Sequence, residues 1–304
     1  MSEIKWIMGA MLCDIQLHRK TDMVFLQTNS MSKVRDAFQI YEDRGLQHLL
    51  FRVLDFINWR MKGVVSSVFD TYWDWKGGSQ TFTVNGVSAE FGASRVKGGD
   101  SIRGQMNMEY KLLEDLLGSI KKDDVFYDIG ANIGLISNFA GQICSNVIAF
   151  EPYPPNHNRL KNTLCNTPAN IQTYELALSD SEGEINFSAT EVGQGTGSIG
   201  SGNETVNTIR GDEIVSREEL EQPDIVKIDV EGAEGLVIDG MKEVLANTRR
   251  IYCEIHLPAD HRTSIHSYGW TPVELLTELE SMGFEIHFLN ERGPEIQVVA
   301  ENQK

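Results

Sequence analysis

The sequence predicts an α/β fold, a mostly parallel sheet with helices on both faces, and three observations predict it. First, the apolar run Val125-Phe126-Tyr127-Asp128-Ile129 closes on a glycine turn, Gly130-Ala131-Asn132-Ile133-Gly134, followed by Leu135, Ile136 and Phe139 at helical spacing. That order reads as a buried strand entering a helix through a tight loop. Second, Asn146-Val147-Ile148-Ala149-Phe150 is another apolar run, and it ends in Glu151. Third, Ile225-Val226-Lys227-Ile228 and Ile251-Tyr252-Cys253-Glu254-Ile255 repeat the pattern further on, each delivering a polar residue at its carboxyl end. Near-continuous apolar strands alternating with helical patterns are the mark of a parallel sheet covered on both faces.

The elements follow in order. Residues 1 to 30 show little periodicity, and Met31-Ser32-Lys33 resembles a second start, so the first thirty are expected to be an over-extended start or a loosely held arm. From Phe38 to about Phe69 the side chains of Leu46, Leu50, Val53, Leu54, Ile57, Met61, Val65 and Val68 recur at helical spacing, giving one long or two short amphipathic helices. Arg52, Trp59, Arg60 and Lys62 accompany them. Two readings stand: a helix that caps the core or pairs with a second copy of the chain, and a peripheral membrane contact through residues 45–69. The first carries more weight. Residues 1–80 are thus assigned to an N-terminal extension, and 81–304 to the main domain.

That domain opens on Thr81–Phe91, which alternates on both sides of Asn85-Gly86 and predicts a β-hairpin. A helix over Met106–Ile120 follows, with Leu112, Leu113, Leu116 and Leu117 on its apolar face. After the first two buried strands come a helix over Asn158–Asn166, a strand over Ile171–Leu176, a turn at Ala177-Leu178-Ser179-Asp180, and a short strand over Glu184–Ser188. Residues 192–203, rich in glycine and serine, lack the lysine of a phosphate loop and read as a lid or a linker. The fourth strand delivers Asp229, with Glu231 and Glu234 opening the next helix, and the fifth delivers His256 beside Asp229. Acids in a first helical turn are common for dipole reasons, so Glu234 is read as structural. A helix starts at Thr271-Pro272 with Glu274 completing a capping box, and Glu285–Leu289 with Glu295–Val299 form a closing antiparallel pair.

The first loop selects a ligand class. Gly130 and Gly134 permit a sharp turn and close backbone approach, and a helix N-terminus follows. A dinucleotide fingerprint requires a second glycine where Asn132 stands, so pyrophosphate, and with it an NAD-dependent oxidoreductase, is disfavoured. Strand–acid–glycine–three residues–glycine is instead the pattern of class I S-adenosylmethionine-dependent methyltransferases. Glu151 falls about twenty residues after the first glycine, where such folds present a carboxylate to the two ribose hydroxyls.

The chain is strongly acidic, with 27 Lys plus Arg against 44 Asp plus Glu and a formal charge of -17. Phosphate backbones would be repelled, and no Asn- or Asp-Pro-Pro-aromatic motif follows the fourth strand, so nucleic acid is not the expected substrate. The acid excess suits a high-salt cytoplasm, or an ordinary acidic protein. No apolar run of about 18 residues and no secretory signal is found, and the four cysteines show no paired spacing, so a cytoplasmic location, membrane-associated if residues 45–69 bind lipid, is expected and no metal ligand set is assigned.

Together, Asp128-Ile129-Gly130-Ala131-Asn132-Ile133-Gly134, Phe150-Glu151-Pro152, Ala177-Leu178-Ser179-Asp180, Lys227-Ile228-Asp229-Val230-Glu231-Gly232-Ala233-Glu234 and Glu254-Ile255-His256 resemble the FkbM family of methyltransferases over roughly residues 105 to 290. The resemblance implies a Rossmann-like seven-stranded sheet of order 3-2-1-4-5-7-6 with the seventh strand antiparallel. It also implies methyl transfer from S-adenosylmethionine, usually to a hydroxyl oxygen. The cofactor residues expected are Asp128, Gly130, Asn132, Gly134, Glu151, Leu178 and Asp180, with the 177–180 turn beside the adenine. The chemistry is expected of Asp229, Glu231 and His256, with an unperturbed, neutral His256 as the first candidate for general base. A glycan or lipid-linked saccharide is the first acceptor expected, a soluble secondary metabolite the second.

Overall fold

A computed structural model describes residues 79–92, 102–188, 198–199, 204–259 and 263–302. The expected helices between residues 38 and 69, the arm before them, the membrane-contact segment 45–69 and most of the 192–203 loop lie outside the described residues. Two strands, β1 (Ser79–Val84) and β2 (Val87–Gly92), form the expected hairpin, pairing Val84 with Val87. Asn85 and Gly86 adopt φ of 49° and 78° between them, the primed two-residue turn that matches strand twist. Helix α1 (Ile102–Ser119) receives the hairpin, Asn85 Nδ2 donating to the Glu114 carbonyl at 2.7 Å.

The sheet itself comprises β3 (Val125–Ile129), β4 (Asn146–Phe150), β5 (Asn170–Tyr174), β10 (Ile225–Ile228), β11 (Arg250–His256), β12 (Phe284–Arg292) and β13 (Glu295–Asn302). Its order is β12-β13-β11-β10-β3-β4-β5. Counted in chain order within this sheet alone, the strands run 3-2-1-4-5-7-6 from the β5 edge. Strand β13 is antiparallel to both neighbours, and the remaining pairs are parallel. This is the sheet of a class I methyltransferase.

Alternation along the strands sends side chains to two cores. Tyr127, Ile129, Ile148, Val226, Ile228 and Ile251 pack on one face, beneath α4 (Gly211–Arg217), α5 (Glu234–Gly240), α6 (Lys242–Leu245) and α7 (Pro272–Ser281). Phe126, Val147, Tyr252 and Val299 pack on the other, with the apolar sides of α1 and α2 (Leu135–Ala140) and with Phe91 of the hairpin. Helix α3 (Pro154–Leu164) starts earlier than expected because Pro154 and Pro155 fit a first turn, where no N–H is needed. The capping box at Thr271 is present.

One element was not anticipated. A second sheet, β6-β9-β7-β8, is built from β6 (Ala177–Ser179), β7 (Gly183–Ser188), β8 (Ser198–Ile199) and β9 (Glu204–Arg210). The stretch expected to be a turn is therefore a strand, because its backbone groups pair in parallel with Thr208, Ile209 and Arg210.

Candidate active site

The carboxyl ends of β3, β4, β10 and β11 meet at one edge, where the parallel order of the sheet puts ligand sites. Gly130 leaves β3 with φ 78°, and a Cβ there would fall 1.8 Å from the Asp229 carbonyl oxygen. The two strand-end loops thus touch backbone to backbone. Lys227 fastens them: buried beneath the loop, its Nζ donates to the Gly130 carbonyl at 2.9 Å and lies 3.2 Å from Asp229 Oδ2 and 3.4 Å from Asp128 Oδ1. Burial opposes its charge, but the carboxylates of Asp229 and Asp128 outweigh that and hold its pKa above the usual lysine value.

Asp128 is fully buried and its Oδ2 accepts from the Ser137 hydroxyl at 2.6 Å, bracing the loop from within. Asn132 has φ 50°, a left-handed conformation that asparagine tolerates, and Gly134, with φ 88°, ends the loop. Glu151 turns toward this loop. Its Oε2 accepts from the Asn132 N–H at 2.8 Å and its Oε1 from the Tyr153 N–H at 3.0 Å. Burial pushes its carboxyl up to about 7, the two N–H donors offsetting only part of that cost.

Two features fit a nucleoside cofactor. Each Glu151 oxygen accepts one N–H and retains capacity for a hydroxyl, as two vicinal ribose donors require. Asn132 Oδ1 is buried without a hydrogen-bond partner, an acceptor that a bound group would satisfy. Leu178 lies in β6 and Asp180 directly after it. Leu178 is a core residue of β6, and β6 runs against the C-terminal turn of α5, where a Cβ on Gly240 would fall 1.8 Å from the Ser179 carbonyl oxygen. Arg210 Nη1 donates to the Asp180 carbonyl at 2.6 Å. Beside Glu151 is the end of β5, whose Tyr174 carbonyl takes the Glu151 N–H at 3.0 Å.

Beside the glycine loop, the chain after β10 forms a tight bend before α5. Glu231, expected to open that helix, instead sits in the bend with φ 54°, a conformation costing a residue other than glycine about 1 kcal/mol or more. The bend points Asp229 and Glu231 at His256. Its Nε2 lies 3.4 Å from Glu231 Oε2, 3.8 Å from Glu254 Oε1 and 3.9 Å from Asp229 Oδ1. Its Nδ1 pairs with Glu234 Oε1 at 2.7 Å, and the same oxygen accepts the Gly232 N–H at 2.8 Å. Glu234, read as structural in the sequence, is a fully buried partner of the candidate catalytic histidine.

The electrostatics overturn one expectation. Burial opposes a charged His256, but the hydrogen bond to Glu234 and the charges of Asp229 and Glu231 raise its pKa to about 10. With no ion beside it the ring is an imidazolium at neutral pH, with no lone pair for an acceptor's proton. Burial also raises Glu231 to about 8, and Glu254 to about 7 with help from Asp229 and Glu109. Burial would raise Asp229 too, yet Lys227, His256 and Arg292 hold it below the usual range.

Arg292 closes the cluster from β12, its guanidinium pairing with Glu254 and with Glu109 Oε1 of α1 at 2.8 Å, while Gln297 donates to Glu254 Oε2 at 2.7 Å. Lys227 and Glu254 stood inside recognisable motifs, whereas Glu109 and Arg292 reach the site only through tertiary packing and left no local signal.

Comparison with known proteins agrees with this geometry. The Methyltransferase FkbM domain family matches residues 128–286. Hexuronic acid methyltransferase AglP of Haloferax volcanii is 35% identical over 182 residues, covering 58% of this chain and 74% of AglP. The 2-O-methyltransferase NoeI of Sinorhizobium fredii is 32% identical over 157 residues, covering 44% of this chain and 64% of NoeI. Among solved structures, magnesium protoporphyrin IX methyltransferase of Synechocystis is 11% identical with a TM-score of 0.41, over 66% of this chain and 81% of that one. The strand order, the glycine loop with Glu151, and the family match together lead to one assignment: the chain belongs to the FkbM methyltransferase family and is an S-adenosylmethionine-dependent O-methyltransferase.

Proposed function

We propose that this enzyme methylates an oxygen of a sugar, in a glycan or a lipid-linked saccharide. The observation that carries the reading is the chemistry of the acceptor edge: Asp229 and Glu231, each about one-quarter exposed, converge on His256, so the edge offers carboxylate hydrogen-bond acceptors. Such an edge suits an acceptor rich in hydroxyl donors. The names of the hexuronic acid methyltransferase and the 2-O-methyltransferase support the same class.

Bound S-adenosylmethionine supplies an electrophilic methyl on a sulfonium. The protein's contribution is positioning and proton management. Lys227 holds the Gly130 carbonyl and the Asp229 carboxylate in one frame, fixing the cofactor loop against the acceptor edge. Holding an acceptor oxygen in line within a dry pocket accounts for much of the barrier reduction in a displacement. An alcohol must also lose its proton, and a placed base contributes about a hundred- to ten-thousand-fold. With His256 charged, Glu231 takes that role in its ionised form, which a pKa of about 8 makes the minor form at neutral pH and the major one above pH 8. Its side chain is one-quarter exposed, open to an acceptor, and faces the ring that stabilises its charge. Asp229 orients a neighbouring hydroxyl.

The test is a panel of free and glycosidically linked hexuronic acids and neutral hexoses, incubated with S-adenosylmethionine labelled in the methyl carbon. A new O-methyl resonance on a sugar carbon or carboxyl is expected, with the position read from its carbon–proton correlation. Methylation confined to non-sugar hydroxyls would overturn the reading.

A further inference from the structure

The His256 ring is held in a way that protonation alone does not explain. It is buried, its Nδ1 is fixed by Glu234 at 2.7 Å, and among the described residues its Nε2 makes no hydrogen bond. Three carboxylates instead surround Nε2 at 3.4 to 3.9 Å. A hydrogen bond to an imidazolium would draw one oxygen in to about 2.7–2.9 Å. Ligand atoms that share one ion at about 2.1 Å lie roughly 3.0–3.4 Å from one another; Nε2 lies 3.4 Å from Glu231 Oε2, within that span, and 3.9 Å from Asp229 Oδ1, just beyond it. Side-chain ligand atoms of Asp229, Glu231 and His256 all fall within 4.8 Å of each other.

We propose that Asp229, Glu231 and His256 form a site for a divalent transition-metal ion, with Glu234 as the outer partner that orients the histidine. Two further observations point to an ion. Metal-ligating histidines almost always give their other ring N–H to a carboxylate, which fixes the tautomer and aims the free nitrogen at the metal. Glu234 does this here, itself locked by the Gly232 N–H at 2.8 Å. The three ligands also come from chain segments whose conformations are otherwise committed: Glu231 is held at φ 54° and Asp229 Oδ2 is taken by Lys227, which leaves Oδ1 on the histidine side.

Glu254 is excluded as a ligand because Arg292 takes both its oxygens, Oε1 on the histidine side included, and Gln297 also donates to Oε2. One imidazole and two carboxylates suit manganese, iron(II) or zinc better than calcium or magnesium, which prefer all-oxygen sets. Such a triad leaves coordination positions open. Their occupation by two neighbouring acceptor oxygens rests on the proposed sugar reading; the ion site itself does not. A hydroxyl on the ion would be acidified, and the second oxygen of Glu231 would remain to receive its proton.

The test reads binding, not turnover. The full chain, stripped with a chelator, is titrated with Mn2+ while the signal of the free ion is followed by electron paramagnetic resonance, and Zn2+ is used as competitor. One saturable Mn2+ per chain is expected, displaced by Zn2+. Asp229→Asn and His256→Gln should each weaken it at least tenfold, and Glu234→Gln about ten- to a hundredfold, while Glu184→Gln on the exposed part of β7 leaves it unchanged. S-adenosylhomocysteine binding, measured on each variant, shows that the fold is intact. Should a buried variant not fold, Glu231→Gln, in the one-quarter-exposed bend, serves instead. No saturable site, or equal binding by wild type and ligand variants that still bind S-adenosylhomocysteine, would overturn the proposal. That result would leave methyl transfer to sugar untouched, whereas loss of sugar methylation with Mn2+ bound would overturn the other reading alone.

Discussion

Affinity for S-adenosylhomocysteine should depend on pH through one residue, Glu151. Its carboxyl titrates at about 7 without ligand because burial penalises the charge more than the Asn132 and Tyr153 N–H groups stabilise it. Ribose hydroxyls donate to the ionised form, so binding favours the carboxylate and releases a proton wherever the free enzyme carries one. Affinity is then flat above pH 7 and falls about tenfold for each unit below it, about a hundredfold by pH 5, or roughly 2.7 kcal/mol. The same group links folding to pH in the opposite sense. Because the folded pKa lies above the ordinary 4.5, ionised Glu151 costs the ligand-free protein stability in full above pH 7, and the cost vanishes below 4.5. Integrated over that window it amounts to roughly 3 kcal/mol, and saturating ligand should remove most of it. Calorimetric titration from pH 5 to 8.5, in two buffers of different ionisation enthalpy, gives both affinity and protons released. Glu151→Gln should flatten the profile and weaken binding at pH 8 by about tenfold or more, the value of a lost charge-assisted hydrogen bond. An affinity independent of pH in the wild type, or a slope that survives in Glu151→Gln, would refute the ribose role.

Further predictions concern the frame and the chemistry. Lys227→Met leaves Asp128 and Asp229 buried without their cation and should cost about 3–5 kcal/mol in urea unfolding, with S-adenosylhomocysteine affinity falling as well. Gly130→Ala meets both the φ of 78° and the Asp229 carbonyl, so it should abolish cofactor binding in a thermal-shift assay even where the protein still folds. Glu231→Gln, Asp229→Asn and His256→Ala should each lower turnover at least about tenfold while S-adenosylhomocysteine affinity changes less than threefold; normal turnover in Glu231→Gln would remove it as the base.

The core of the fold was legible because its signals are local. Buried parallel strands are apolar runs, the hairpin is Asn85-Gly86, and the helix at Pro272 announces its own cap. Strand β9 was missed because its alternation of Val206 and Thr208 is short and follows a glycine-rich segment, and pairing with it is what turned Ala177–Ser179 from a turn into a strand. In the site, residue identities were readable and their protonation was not. Asp229, Glu231 and His256 were named from strand ends, yet the charge of His256 depends on Glu234, whose sequence position looks like an ordinary helix-start acid. Glu109 and Arg292 lie 183 positions apart and meet only when α1 packs against β12. No window of sequence contains that contact.

The central claim is that one edge of the sheet carries a methyl from S-adenosylmethionine to a sugar oxygen. Methyl-labelled S-adenosylmethionine, incubated with the pure protein and a lipid-linked saccharide fraction from cell extract, tests it most directly. Mild acid, which frees saccharides from their carriers, should move the label into the water-soluble sugar pool with wild type and not with Asp229→Asn. Label found only in protein, nucleic acid or the lipid residue, or label of equal intensity with Asp229→Asn, would contradict it.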